Sequence, residues 1–417
     1  MPEFLTLLPP DEARALLLSH LAGPLPSSET INVSASLGRV TAEDIHAPHP
    51  LPEFHRSTVD GYAVRARETF GASDSLPAYL KLAGEVPMGD APAFSLGEGQ
   101  CALIHTGGML PEGSDAVAML ETTQSVRVGE VEVLRAVAVG ENVLRVGEDV
   151  NPGDEVIQAG ARLRPAEIGG LMALGITRVP VVKKPGIGII SSGDEIVPPT
   201  AELHIGQVRD VNSFTLSALV EQAGGIPIRY GIVPDRAPAL RAALSQALEE
   251  CEAVVVTAGS SASVRDLTAE VINTLGPPGV LVHGVNVRPG KPTILAVCSG
   301  KENQTPKAVI GLPGNPVSAL VIAGLFLVPV IERLLGIDQP RLRGRLQARL
   351  KINLPSKAGR EDWFPVHLTQ EGGMLEAEPV FGKSNLIFTL ARADGLICIP
   401  ANATGLHAGE VVEVFLN

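Results

Sequence analysis

Apolar positions along this chain repeat with two different periods, and the change of period divides it. Residues 187–190, 226–233, 253–256, 280–287 and 308–311 are short runs rich in Val, Ile and Ala, which read as strands. Between them, Leu216, Leu219, Val220 and Ala223, then Leu240, Ala243, Leu244, Ala247 and Leu248, recur at spacings of three and four. That period predicts helices over 211–223 and 236–250, with further helices over 264–275 and 316–335. Strands alternating with helices across short links predict a mostly parallel sheet covered by helices. Ligands of such sheets sit at the carboxyl ends of the strands.

The flanks have another texture. Asp11 and the Gly23-Pro24 pair bracket a short helix over 11–21, and a second helix is expected over 165–174. From Ile31 to Val139 short β runs such as Tyr62-Ala-Val64 and Cys101-Ala-Leu-Ile104 are cut by Pro and Gly, which predicts one or two small β-rich subdomains. The basic-proline junction Pro180 to Pro185 marks a domain boundary. From Arg341 onward helical periodicity vanishes, and β pairs separated by Gly, Asn and Asp predict a small terminal β-barrel. The longest apolar stretch, Val317 to Ile331, contains Pro329 and is read as too short to span a bilayer; a buried helix is expected there.

Charge narrows the class of partner. A formal charge of −13 argues against nucleic acid or an anionic membrane, since both need broad basic surface. An anionic small molecule stays open, provided that a few Lys or Arg residues make a locally basic pocket. The four cysteines form no C-x-x-C pair, and the N-terminal stretch has no signal-type apolar core, so a cytoplasmic, thiol-reduced protein is expected. The histidines show no H-E-x-x-H spacing, which makes a catalytic zinc improbable.

Candidate chemistry lies in the loops. Two rigid Gly/Pro loops, His283 to Pro292 and Gly311 to Ser318, are suited to holding backbone N–H groups around an anion. The first carries Arg288 and Lys291; the second, Gly311-Leu-Pro-Gly-Asn-Pro316, carries Pro313, Asn315 and Pro316. Solvated surface cations are the plain alternative for Arg288 and Lys291. Three acids follow strands: Glu195 in Ser191-Ser-Gly-Asp-Glu195, Asp235, and Asp266 at the end of Thr257-Ala-Gly-Ser-Ser-Ala-Ser-Val-Arg-Asp266. Carboxylates around one crevice can hold a hard divalent cation that bridges phosphate oxygens. Taken singly they have plainer readings, as a solvated turn, an N-cap and a capping box. The small-residue turn Ala258 to Ser261 resembles a phosphate nest, and no Walker A lysine follows it, which disfavours a generic nucleotide hydrolase. Asp60, Thr106 and Asp149 occupy polar islands between β runs of the N-terminal half.

In this order the motifs resemble the molybdopterin molybdenumtransferases, the bacterial MoeA family that includes the gephyrin E domain. Asp60-Gly-Tyr-Ala, Thr106-Gly, Gly147-Glu-Asp149, Ser192-Gly-Asp-Glu195, Asp210-Val-Asn-Ser213, Pro289-Gly-Lys-Pro292 and Gly311-Leu-Pro-Gly-Asn-Pro316 carry the resemblance over essentially the whole chain. It implies a multidomain α/β plus β protein. An elongated dimerisation domain (1–45 and 141–180) would hold an inserted β subdomain (46–140). A three-layer α/β molybdopterin-binding domain (181–336) and a C-terminal β-barrel (337–417) would follow.

It also implies an activity: transfer of molybdate onto adenylylated molybdopterin with release of AMP, assisted by Mg²⁺. Asp266, Glu195, Asp235 and Lys291 would be catalytic, with the three acids as metal ligands. Ser192, Ser261, Arg288, Pro313, Asn315 and Pro316 would bind substrate, joined by Asp60, Thr106 and Asp149 from the second subunit of a homodimer. Partners would include a molybdopterin adenylyltransferase and recipient molybdoenzymes. Ala258 and Ser263 stand where the family has glycine; side chains there impair binding if backbone N–H groups approach the ligand closely or need positive φ. A non-catalytic molybdopterin-binding paralogue, acting as regulator or scaffold, is the alternative that those two positions favour.

Overall fold

The computed structural model describes residues 7–21, 27–258, 262–299, 305–337, 344–371 and 373–416. Two compact units divide the chain. One comprises 1–30, 38–42 and 180–417, the other 31–37 and 43–179.

The larger unit is built on a six-stranded sheet. In chain order the strands are β1 (Gly186–Ser192), β2 (Ile226–Val233), β3 (Ala253–Ala258), β4 (Pro278–His283), then β6 (Ile294–Cys298) and β7 (Lys307–Pro313), with the two-residue β5 (Val287–Arg288) outside the sheet. Their spatial order is β2-β1-β3-β7-β6-β4. The β2–β1, β1–β3 and β3–β7 pairs are parallel, while β6 is antiparallel to both β7 and β4. The parallel pattern therefore holds for one half of the sheet, and β6 alone runs against the rest. Sequence periodicity missed β6, because Pro292 is separated from its apolar run by a single residue, Thr293.

Every residue of β3 is buried, Thr257 included, as a strand between two helical layers requires. Ala253, Val255, Ile187, Ile189, Leu295 and Ile310 face one cluster, with Leu216 and Val220 of α1 (Asn212–Ala223). Val254, Val256, Ile190, Ala296 and Val309 face the other, with Leu240 and Leu244 of α2 (Ala237–Glu250) and Ile272 of α3 (Ala262–Asn273). Alternation along the strands thus gives the three layers. Helix Pro10–Ser19 buries Ala13 and Leu17 in the first of these clusters.

The stretch Pro316–Leu334 is a continuous helix with a π turn at Ala323–Leu327. At 19 residues and mean hydropathy 2.0 it is long and apolar enough to cross a membrane, which corrects the expectation that it is too short. Its Ala319, Ile322, Phe326, Leu327 and Val330 are nevertheless fully buried in the core beside the sheet.

The C-terminal strands β8 (Arg345–Leu350), β9 (Glu361–Glu371), β10 (Met374–Pro379), β11 (Gly395–Ile399) and β12 (Val411–Leu416) pair in the order β9-β10-β8-β12-β11. A β11–β9 pairing closes the ring, giving the expected barrel. β5 adds to it by pairing parallel to β9, with Arg288 opposite Asp362.

The smaller unit holds a second six-stranded sheet, ordered Ala116–Met119, Gly61–Val64, Gln100–Ile104, Ala78–Glu85, Glu130–Val133, Thr123–Arg127. Gly61 has no substitute here, because a Cβ would lie 2.0 Å from the Ala118 carbonyl oxygen. Helix Pro165–Ala173 begins with a proline at its first turn and a capping interaction in which the Arg164 N–H donates to Glu167 Oε2 at 2.9 Å. The Arg164 side chain beside it holds the Glu167 carboxyl down to about 2.

Candidate functional site

Because β6 alone is reversed, the carboxyl ends of β2, β1, β3, β7 and β4 lie on one edge of the sheet, together with the start of β6. The described candidates of this unit lie on loops that open there, in an order set by the strands. Asp235 follows β2, Ser192 and Glu195 end and follow β1, and Asp266 follows β3. Asn315 and Pro316 follow β7, and Arg288 and Lys291 lie between β4 and β6.

The acids occupy the β2–β1–β3 half. Ser192, buried at the end of β1, donates from Oγ to Asp235 Oδ1 at 2.5 Å, and the Asp235 N–H donates to Asp194 Oδ1 at 3.3 Å. Glu195 is exposed in the turn between them. Asp266 is exposed at the fifth position of α3, past its first turn, so a capping box formed with Ser263 is not its role. Behind this half, buried Asp210 accepts from Ser191 Oγ at 3.1 Å and Ser213 Oγ at 2.6 Å. Asn212 donates from Nδ2 to the Gly314 carbonyl at 2.8 Å, which ties the start of α1 to the loop after β7.

The cations occupy the other half, where a cleft of about 950 Å³ separates the loops from the barrel. Arg288, Lys291, Lys357, Arg360 and Lys383 line it, with Pro313, Asn315 and Ser384, and no carboxylate among the described residues does. In a protein of formal charge −13 this is a local reversal of sign, the condition for drawing in a small anion. The Lys291 loop is fixed by its backbone. The Val285 N–H donates to the Lys291 carbonyl at 2.9 Å, and Gly290 takes φ 112° with its α-carbon against Ile322, where a Cβ would fall 2.3 Å from the side chain. Glycine is the residue that fits on both counts. The barrel holds the second loop: Asn315 donates to Ser384 Oγ at 3.0 Å, and the Val317 N–H donates to the Ser384 carbonyl at 3.0 Å. Asn315 is also the N-cap of the long helix, whose positive end favours an anion.

Sequence periodicity did not find Lys357, Arg360, Lys383 or Ser384. They are single polar residues in barrel turns, and only closure of the barrel brings them to residues 288–291. Pro316 lies at the first turn of its helix and does not line the cleft. Ser261 lies outside the described residues.

In the smaller unit, Asp60 and Thr106 lie at the same end of adjacent strands, since Gly61 pairs with Ile104. Asp60 Oδ1 accepts from the Thr106 N–H at 2.8 Å and its Oγ1 at 3.3 Å. His105, which sequence reading passed over, bridges this pair to Glu85, with Nε2 at 3.0 Å from Glu85 Oε1. Asp149 is exposed in the turn after Gly147 and takes no part in that cluster.

Among the described residues no three His, Cys, Asp or Glu side chains converge on a metal position, so Glu195, Asp235 and Asp266 form no all-protein cage. Mg²⁺ bound with phosphates needs no such cage: one or two carboxylates suffice, the rest of its shell being phosphate oxygen and water. Exposed Glu195 and Asp266 are hard oxygen donors of that kind. Ala258 and Ser263 do not adopt the conformation that reserves a turn for glycine. Asn142 is the one non-glycine residue at positive φ among those described.

A three-layer α/β domain with a cationic cleft at its carboxyl edge, a closed barrel forming one wall and a separate β-rich unit define a multidomain α/β plus β protein. Known proteins match this plan along the chain. The family model of the MoeA N-terminal region (domain I and II) matches residues 8–175, the "Probable molybdopterin binding domain" model 188–333, and the MoeA C-terminal region (domain IV) 347–416. A molybdopterin biosynthesis protein of Methanocaldococcus jannaschii is 35% identical over 428 residues, covering 98% of each chain. A molybdopterin molybdenumtransferase of Nostoc is 32% identical over 98% of this chain and 94% of its own. The crystal structure of a molybdopterin biosynthesis MoeA protein from Pyrococcus horikoshii superposes with a TM-score of 0.84 at 31% identity, covering 99% of this chain and 100% of that one. The chain belongs to the MoeA family of molybdopterin molybdenumtransferases.

Proposed function

We propose that this protein is a molybdenum insertase of cofactor biosynthesis, which transfers molybdate onto adenylylated molybdopterin and releases AMP. The observation that carries the reading is the division of one sheet edge into an acidic half and a cationic cleft with no carboxylate among its described lining residues. A substrate with a phosphoanhydride next to an oxyanion needs both. Lys291, Arg288 and the barrel cations offset the negative charge of phosphate and molybdate. Once molybdate fills the cationic cleft, Asp266, exposed on the acidic half, orients a water that attacks the anhydride phosphorus and takes its proton, as the P–O bond to the leaving AMP breaks, so that AMP release requires bound molybdate. Ser192 holds Asp235 in place. Mg²⁺, when held by exposed Glu195 and Asp266 together with substrate phosphates, would neutralise charge developing on the leaving group.

The reading extends to a homodimer in which Asp60, Thr106 and Asp149 of a second copy complete the site. Mixing the inactive Asp266→Ala and Asp149→Ala proteins would then restore part of the activity through hybrid dimers. A molybdopterin adenylyltransferase would supply the substrate, and apo-molybdoenzymes would take the product. Buried, unpaired Cys101, Cys251 and Cys298 suit a reducing cytoplasm.

The test is to incubate the purified protein with adenylylated molybdopterin, Mg²⁺ and molybdate and to measure AMP and active cofactor. Stoichiometric release of both is expected. Tight ligand binding with no AMP would replace the insertase with a non-catalytic binding paralogue. Ala258 and Ser263 favour that alternative through close approach of backbone to ligand rather than through positive φ, since Ala258 ends β3 and Ser263 lies within α3.

A further inference from the structure

Two guanidinium groups line the cationic cleft, Arg288 from the β4–β6 loop and Arg360 from the barrel. Both are tied to one carboxylate behind the wall. Asp362 is fully buried and does not line the cleft. It accepts from Arg360 Nε at 2.8 Å and Nη2 at 3.4 Å, from Ser356 Oγ at 2.8 Å and from Arg288 Nη1 at 3.4 Å. Backbone pairing supports the same contact, since Arg288 of β5 lies opposite Asp362 of β9.

We propose that Asp362 is a positioning residue for the anion cleft, fixing Arg288 and Arg360 as one fork that grips a tetrahedral oxyanion. The inference rests on the reading of the cleft as an oxyanion site. Each guanidinium has five N–H donors in a rigid plane, and Asp362 engages only a few of them, leaving the others for a ligand. A buried carboxylate is destabilising unless paired and hydrogen-bonded, and these contacts meet that requirement. By charge alone, however, a carboxylate next to an anion site weakens anion binding. Removing its charge therefore has two effects of opposite sign. A more positive cleft tightens binding, whereas two guanidiniums released from their common anchor repel each other and swing, which loosens it. Bidentate recognition depends on fixed geometry, so the second effect dominates.

The sign of the change makes the test decisive. Calorimetric titration of sodium molybdate into wild type, Asp362→Asn and Lys291→Ala is combined with AMP-release kinetics at varied molybdate. Asp362→Asn is expected to weaken molybdate binding about ten-fold or more and to raise the molybdate KM in step, with kcat at saturation little changed. Arg360→Lys, which keeps the charge and loses the fork, is expected to weaken binding likewise and decides the matter if Asp362→Asn fails to fold. Binding by Asp362→Asn or Arg360→Lys as tight as wild type, while Lys291→Ala loses affinity, would overturn the positioning role and leave the oxyanion site standing. Undiminished binding in Lys291→Ala would remove the oxyanion site and the inference with it.

Discussion

The two halves of the carboxyl edge are built to different standards of rigidity. On the cationic half the barrel and the long helix brace the loops: β5 pairs with β9, Asn315 and Val317 are held by Ser384, and Gly290 is seated against Ile322 of the helix. On the acidic half Glu195 and Asp266 project from turns and helix starts into solvent, and among the four candidate residues there a side-chain contact joins only Ser192 to Asp235. The difference teaches a division of labour. A grip on a small, symmetric anion gains from donors fixed beforehand, while acids that meet a larger substrate and its metal can complete their geometry when it binds.

Substitutions can break this comparison at several strengths. The largest effect is expected from Asp266→Asn, which should lower AMP release by about 10² to 10⁴-fold while leaving the melting temperature unchanged, because its side chain is exposed. Calorimetry and an AMP assay on the same preparation check both statements. Next comes Gly290→Ala on the braced half. Positive φ and overlap with Ile322 together should cost about 3 kcal/mol, read from denaturant unfolding, and should weaken anion binding as well. Asn315→Ala removes one hydrogen bond between loop and barrel and should cost about 1 kcal/mol.

The smallest effect concerns pH. Burial pushes the Glu361 carboxyl of β9 above its ordinary 4.5, with Asp11 adding to the rise and the Trp363 and Cys398 hydrogen bonds and Arg14 opposing it. A carboxyl raised in the folded state adds stability that is complete below its unfolded value and is lost as pH rises through the folded one. Glu361→Gln should therefore gain in melting temperature relative to wild type between pH 4 and pH 8. An equal difference at both ends would show that this carboxyl does not titrate differently on folding.

Much of the fold is legible in the chain because the relevant forces are local. Leu240, Leu244 and Leu248 keep helical spacing, and the Val-Val-Val run of β3 has nowhere to go except between two layers. Pro289-Gly-Lys-Pro292 is legible for the same reason: its glycine answers to its own φ and to one neighbour. The reversed strand β6 was not legible, since direction within a sheet depends on which strands neighbour it. Nor were Lys357, Arg360 and Lys383, whose meaning comes from barrel closure across a long stretch of chain. Asp266 was ambiguous between cap and site until the start of α3 at Ala262 placed it beyond the first turn.

The division of labour itself is tested most directly by titrating molybdate into Asp266→Asn and Lys291→Ala side by side and following AMP release from each. Asp266→Asn should bind molybdate like wild type and release almost no AMP. Lys291→Ala should bind molybdate weakly yet recover much of its AMP release as molybdate is raised. Equal loss of molybdate affinity in the two variants would contradict the account, because the two halves of the edge would then be acting as one.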